Sequence, residues 1–369
     1  MKIKVMTVFG TRPETIKMAP LVKELKSRKE IESIVCVTAQ HRQMLDQVLN
    51  AFKIIPDYDL DIMKQGQTLT DITSRVLQGL DGVIKEVKPD IVLVHGDTTT
   101  TFAGALAAFY NQVAVGHVEA GLRTYNKYSP FPEEANRQFV GNIADIHFAP
   151  TEMSRENLLK EGKKNETIVV TGNTAIDALQ TTVCDDYNHE ILEWVGNDKM
   201  IMLTAHRREN LGEPMRNMFR AIRRIIEKYD DIKMVYPVHL NPIVKQAAEE
   251  IFGDCDRIKL INPLEVIDFH NLLNKSFLIL TDSGGIQEEA PSLGKPVIVL
   301  RDTTERPEGI KAGTLKLAGT NEEIIYNMIE ELISNKQEYE KMSKASNPYG
   351  DGKASKCIVD EIIKRFRAL

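Results

Sequence analysis

The residues able to do chemistry gather in short polar segments, each directly after an apolar, β-branched run. In open α/β sheets ligands bind at the carboxyl ends of the strands, which makes these segments the candidates for a site. Gly10-Thr11-Arg12-Pro13-Glu14 opens the series. Gly10 permits a tight turn, Pro13 suits the first turn of a helix, and Arg12 and Lys17 stand near that helix's N-terminus, where both can face an anion. Solvent-facing charges in an ordinary βα turn are the alternative.

His95-Gly96-Asp97-Thr98-Thr99 and His117-Val118-Glu119-Ala120-Gly121-Leu122-Arg123 follow two later runs. Asp97 is placed to cap a helix beginning at Thr99. It is also placed to neighbour Glu119 across adjacent strand ends. Glu133-Glu134 starts a helix that also carries Arg137; acidic residues in a first turn complement the helix dipole. Several carboxylates converging on one site raise one another's pKa and suit general acid/base work, the chemistry needed to take a proton from carbon. The pairs His95/Asp97 and His117/Glu119, each spaced i, i+2, leave catalytic metal ligation open as a rival.

The second half offers Thr204-Ala205-His206-Arg207-Arg208-Glu209-Asn210, in which His206 can serve as acid or base or bind phosphate. His239 follows in Pro237-Val238-His239. In Thr281-Asp282-Ser283-Gly284-Gly285-Ile286-Gln287-Glu288-Glu289, Ser283, Gly284 and Gly285 can turn backbone N–H groups toward a diphosphate at a helix start. Glu289 can accept from ribose hydroxyls, or be an ordinary surface residue of that helix. Arg301 to Glu308 is a polar loop with Arg306 as a further anion ligand.

The elements that must position these segments are repeated βα units around parallel sheets. Strands are expected at Ile3–Phe9, Ile34–Thr38, Ile91–Val94, Ala114–Val118 and Ile146–Phe148, then at Met200–Thr204, Met234–Pro237, Ile258–Ile261, Phe277–Thr281 and Val297–Val299. Helical patterns lie between them, at Pro13–Lys26, His41–Phe52, Thr68–Val87, Thr99–Tyr110 and Pro132–Ala144 in the first half. Residues 1–171 are expected to form one domain, with a last helix from 354 to 369 packing back on it, and residues 172–353 the other. With 369 residues, 42% of them hydrophobic, the chain can fill two cores.

A net charge of -6 without a Lys/Arg-rich block argues against nucleic acid as a partner. The N-terminus reads as a strand and lacks the parts of a signal peptide, and no apolar run reaches membrane-spanning length. The expectation is a soluble, cytoplasmic protein without a membrane partner. Cys36, Cys184, Cys255 and Cys357 are scattered, which points to reduced thiols and no structural zinc.

Taken together, GTRPE, HGDTTTT, HVEAGLRT, PFPEE, AHRREN, DSGG…QEEAPSLGKP and RDTTERPE resemble, in order and over most of the chain, the motif set of the non-hydrolysing UDP-N-acetylglucosamine 2-epimerases. The resemblance implies an α/β fold of two Rossmann-like domains in a glycosyltransferase-B arrangement, with the active site in the interdomain cleft, and a homodimer. It implies reversible interconversion of UDP-N-acetylglucosamine and UDP-N-acetylmannosamine by elimination of UDP to 2-acetamidoglucal and re-addition, with no cofactor and no metal, supplying polysaccharide biosynthesis. Asp97, Glu119, Glu133 and His206 match the catalytic residues. Arg12, Lys17, Arg137 and Arg306 would neutralise the leaving diphosphate, Ser283, Gly284 and Gly285 would bind it, Phe269 would pack on uracil and Glu289 would hold ribose.

Bacterial members of that family also bind a second UDP-N-acetylglucosamine as an activator. Gln40, His41, Gln43, Gln67, Glu133, Arg207 and His239 match its shell, while Gly66 stands where an arginine is common. A hydrolysing epimerase releasing N-acetylmannosamine and UDP, a glycosyltransferase on the same scaffold, a metal-dependent hydrolase and a non-catalytic UDP-sugar sensor are the competing readings.

Overall fold

The computed structural model describes residues 2–40, 42–304 and 306–367. The expected activator residue His41 lies outside them. The chain divides into two compact units, Met1–Thr181 with Tyr349–Leu369, and Thr182–Pro348.

Among the described residues the first unit is built on a seven-stranded sheet. Its strands are β1 (Ile3–Phe9), β2 (Ile31–Val37), β3 (Tyr58–Asp59), β4 (Ile91–His95), β5 (Ala114–Val118), β6 (Ile146–Ala149) and β7 (Ile168–Val170), in the order β3-β2-β1-β4-β5-β6-β7. Every pairing is parallel. Strands covered by helices on both faces read as near-continuous apolar runs, and β4, Ile-Val-Leu-Val-His, is buried at all five positions. The order reverses at β1 and β4, so the loops after β1, β4 and β5 open beside one another at a topological switch point.

The second unit repeats the plan with β8 (Lys199–Thr204), β9 (Ile232–Pro237), β10 (Ile258–Ile261), β11 (Leu278–Thr281), β12 (Val297–Val299) and β13 (Leu315–Leu317). Their order is β10-β9-β8-β11-β12-β13, again parallel throughout. Phe219 anchors one side of its core, 4.8 Å from Phe252 and 5.7 Å from Tyr236 between ring centroids. Tyr236 donates its hydroxyl to the Ala205 carbonyl at 2.6 Å, satisfying a buried polar atom and holding the loop after β8.

The three strands the sequence reading lacked, β3, β7 and β13, are two or three residues long and lie at sheet edges. So short a run, with a neighbour on one side only, shows little of the periodicity on which such readings rest. Residues 172–181, expected in the second domain, carry most of the helix Thr174–Thr182 and lie in the first unit. The last helix, Ala354–Arg367, is in that unit too, its start capped by Asp177, which accepts from Ala354 N at 3.2 Å and Ser355 N at 2.7 Å. Residues 349–353, expected in the second domain, fall in the first; Tyr349 O accepts from Asn173 N at 2.8 Å.

No helix among the described residues is long and apolar enough to cross a membrane. The four cysteines are unpaired.

Candidate active site

Glu119 is the centre of the first unit's site. It follows β5 with a φ of +62°, a left-handed conformation that L-residues seldom adopt and that often marks a functional position. Its side chain, 9% exposed, is ion-paired through Oε1 with Lys17, and the same oxygen accepts from Asn173 Nδ2 at 3.2 Å. His95 Nε2 stands 3.9 Å from Oε2. Burial pushes the His95 imidazole down to about 4, so the ring is neutral and leaves the carboxylate's charge to Lys17. Lys17, expected on a diphosphate, is thus engaged by Glu119. Arg12 makes no hydrogen bond or ion pair among the described residues and is half-buried at the start of its helix, free to meet an anion.

Asp97 does not cap the helix Thr99–Tyr110. Thr98 does, its hydroxyl accepting from Thr101 N at 3.1 Å. A threonine side chain reaches that N–H as well as an aspartate would, which releases Asp97 to meet Arg137, with Nη2 2.5 Å from Oδ2. Asn136 Nδ2 holds the Asp97 carbonyl at 2.9 Å. Arg137 Nη1 also reaches Glu134 at 3.2 Å. Burial alone would weaken the guanidinium's charge, but the carboxylates of Asp97, Glu134 and Glu119 outweigh it.

The adjacent glutamates have separate duties. Glu134 is fully buried and accepts from Thr124 N at 3.0 Å, Tyr125 N at 3.1 Å and Gln138 Nε2 at 3.0 Å. Burial opposes its charge, yet these donors and Arg137 hold its carboxyl below the usual range. It fixes the loop between Leu122 and Pro132. Glu133 is half-buried and makes no hydrogen bond or ion pair among the described residues, so its carboxylate is available.

Beneath these groups lies a buried polar floor. Glu14 accepts from Gly10 N at 3.1 Å, Thr11 N at 2.8 Å, Thr98 Oγ1 at 2.7 Å and Thr101 Oγ1 at 3.1 Å, tying the loop after β1 to the loop after β4. Burial raises its carboxyl above the usual range despite those donors. His117 Nε2 donates to the Gly96 carbonyl at 2.7 Å, and burial pushes its pKa down to about 3. Within the pairs weighed as metal ligands, His117 is therefore turned onto backbone. Among the described residues no three His, Cys, Asp or Glu side chains gather as a metal site.

In the second unit His206, with a side chain 40% exposed, stacks on His239 with centroids 5.5 Å apart and planes 15° from parallel. Burial, His239 and Arg207 push its imidazole below the ordinary value against the opposing pull of Asp282 and Glu209. Ser283 precedes the short helix Gly284–Glu289. A Cβ on Gly284 would lie 2.8 Å from Arg306 Nη1, so the guanidinium lies close against this turn. Arg306 is held by Glu288, Nε to Oε1 2.8 Å. Gly285 leaves room toward Glu289, whose Oε2 is 3.9 Å from His270 Nε2. Phe269 is half-buried at the edge of the apolar core, its ring 6.3 Å from His270.

Of the expected activator shell, Gln40 and Gln67 are joined, Gln67 Nε2 donating to the Gln40 carbonyl at 3.2 Å, and Thr100 donates to Gln40 Oε1 at 3.1 Å. Gln43 is exposed. Gly66 has φ +71° with open space around it. Arg207 donates through Nε to the Asp282 carbonyl at 3.3 Å, and His239 Nδ1 accepts from Asn241 N at 3.1 Å. Sequence reasoning gave no role to Asn173, Glu14 or Asp282. Asn173 was hidden with β7. The other two stand inside motifs already read, where a carboxylate beside a glycine turn was a usable signal.

Carboxylates at the strand ends of one parallel sheet and a glycine turn backed by arginine at those of the other define a two-sheet α/β enzyme of glycosyltransferase-B-like fold. Residues 23–363 match the UDP-N-acetylglucosamine 2-epimerase family. A UDP-N-acetylglucosamine 2-epimerase of Bacillus subtilis is 71% identical over 99% of this chain and 96% of that protein. A putative UDP-N-acetylglucosamine 2-epimerase of Listeria monocytogenes has a crystal structure that superposes with a TM-score of 0.96 at 61% identity, covering 100% of this chain and 98% of the other. The Neisseria meningitidis UDP-GlcNAc 2-epimerase, solved bound to UDP-GlcNAc, gives 0.89 at 52% identity, covering 98% of this chain and all of the other. The chain belongs to the UDP-N-acetylglucosamine 2-epimerase family, a family of isomerases.

Proposed function

We propose that this chain interconverts UDP-N-acetylglucosamine and UDP-N-acetylmannosamine without net hydrolysis. The observation that carries the reading is the first unit's charge pattern, in which Glu119 and Asp97 are each held by a cation while Glu133 is left available. The proton on sugar C2 is not acidified by a carbonyl, so removing it must be coupled to loss of the C1 substituent. A carboxylate takes the proton, the C2–H pair forms the C1–C2 double bond, and the C1–O pair leaves with UDP. Re-addition of UDP to the 2-acetamidoglucal, with C2 protonated from the other face, completes epimerisation.

Asp97, Glu119, Glu133 and His206 supply the acid and base groups on this reading. Arg12, Arg137 and Arg306 answer the charge that grows on the diphosphate as the C1–O bond breaks. The turn at Ser283, Gly284 and Gly285 binds diphosphate, Phe269 packs on uracil and Glu289 holds ribose. Lys17 acts through Glu119, which it holds by an ion pair. The shell of Gln40, Gln43, Gln67, Arg207 and His239 is the proposed activator site, with Gly66 removing one anion contact from it.

We further read the protein as a cytoplasmic homodimer. Unpaired cysteines accord with a reducing compartment, and Phe109, Tyr110 and Phe139, exposed on two packed helices, offer an apolar face for a second copy. The proposed activity is tested by chromatography of products from UDP-N-acetylglucosamine. A nucleotide-linked epimer at equilibrium supports it, while free N-acetylmannosamine with stoichiometric UDP would establish the hydrolysing alternative instead.

A further inference from the structure

Asp282, in the loop after β11, is wholly buried, and its Oδ2 is saturated by the loop that carries His206. That oxygen accepts from His206 N at 2.9 Å, Arg207 N at 2.8 Å and Asn210 Nδ2 at 3.2 Å. Its backbone is fixed as well, Asp282 N donating to Thr204 O at 3.0 Å. The other carboxylate oxygen, Oδ1, has no hydrogen-bond partner among the described residues and stands 3.5 Å from His206 Nδ1.

A buried carboxylate oxygen without a donor is costly, and a single nearby ring N–H can satisfy it. We propose that Asp282 is the positioning residue of His206, fixing the imidazole as its Nδ1–H tautomer and presenting Nε2 to the substrate. The stack on His239 holds the plane of the ring. Because Ser283 and Gly284 follow directly in the chain, one side chain sets both the histidine and the diphosphate-binding turn in register. The groups facing His206 are Asp282, His239, Arg207 and Glu209; Asp282 is the carboxylate whose oxygen meets Nδ1. The proposal rests on the assignment of His206 to the reaction.

Asp282→Asn in the 369-residue chain tests it. The three donors onto Oδ2 oblige the new amide to keep its oxygen where Oδ2 was. Its NH2 then faces Nδ1 and demands the opposite tautomer. Nitrogen-15 spectra of histidine-labelled protein should place the His206 proton on Nδ1 in the unsubstituted chain and on Nε2 in the variant. The variant's His206 should also titrate at lower pH, since a neighbouring negative charge is gone. Turnover should fall about 10²-fold or more with KM within about threefold, and adding Asp282→Asn to His206→Asn should cost nothing further.

An Nε2–H tautomer in the unsubstituted chain overturns the proposal, as does full turnover in a folded Asp282→Asn variant. The tautomer measurement needs no variant, so misfolding of Asp282→Asn leaves the proposal testable. If His206→Asn alone keeps full turnover, the role of His206 fails, whereas the spectra still decide whether Asp282 positions the ring.

Discussion

Arg137 Nη2 lies 2.5 Å from Asp97 Oδ2 while Nη1 reaches Glu134 at 3.2 Å, so one guanidinium joins the carboxylate proposed for the chemistry to the buried one that fixes the neighbouring loop. Arg137→Gln should therefore lower kcat/KM by about 10²-fold or more. The stability cost should be about 1–3 kcal/mol, because Glu134 keeps its other donors. Arg137→Lys keeps the charge but not the two-pronged reach, and should fall between the two. Steady-state kinetics with thermal unfolding checks this; full activity in Arg137→Gln would remove Arg137 from the reaction.

Since Thr98 rather than Asp97 caps the following helix, Asp97→Asn should leave unfolding free energy within about 1 kcal/mol. UDP affinity, measured by calorimetry, should change by less than about threefold, while turnover falls at least about 10²-fold. Normal turnover would show that Asp97 has no part in the chemistry.

His95, His117 and His147 lie on the neighbouring strands β4, β5 and β6, with burial pushing their pKa values down to about 4, about 3 and about 4. Unfolding restores ordinary imidazoles near 6.5, so below that pH the unfolded chain binds protons the folded one refuses. Stability is then fully present above pH 6.5 and is lost as pH falls toward 4 and 3. The slope is about 1.4 kcal/mol per pH unit for each histidine, about 4 kcal/mol for the three together at most. Urea unfolding at several pH values reads it, and His117→Gln should flatten it by one proton. A pH-independent midpoint between 6.5 and 4.5 would contradict the neutral assignment.

Gly10 has its own test. A Cβ there would sit 1.8 Å from Thr38 Oγ1, inside the buried contact between Thr38 and Thr100. Gly10→Ala should cost about 1–3 kcal/mol, and Thr38→Ala should restore at least half of it. Equal cost with and without Thr38→Ala would mean the loss arises elsewhere.

The parallel α/β layout was legible because its central strands carry their own patterning: Ile91 to Val94 is an apolar run wherever it is met. The strands β3, β7 and β13 were not: each is only two or three residues long and has a single neighbour, too short a run to show a pattern. The same difference runs through the site. Asp97, Glu119 and Glu133 stand at strand ends or a helix start and could be named from position. Sequence could not divide Glu133 from Glu134, because only the loop folding back through Thr124 and Tyr125 makes one structural. Nor could it reassign Lys17 from an anion ligand to the partner of Glu119, 102 residues away.

The central claim is that C2 is deprotonated and reprotonated while UDP is retained by the cycle. Proton NMR of the 369-residue chain with UDP-N-acetylglucosamine in deuterated water tests it most directly. The account predicts both nucleotide-linked epimers with deuterium at C2, formed together as equilibrium is approached. Epimers that retain protium at C2, or free N-acetylmannosamine accumulating with UDP, would contradict it.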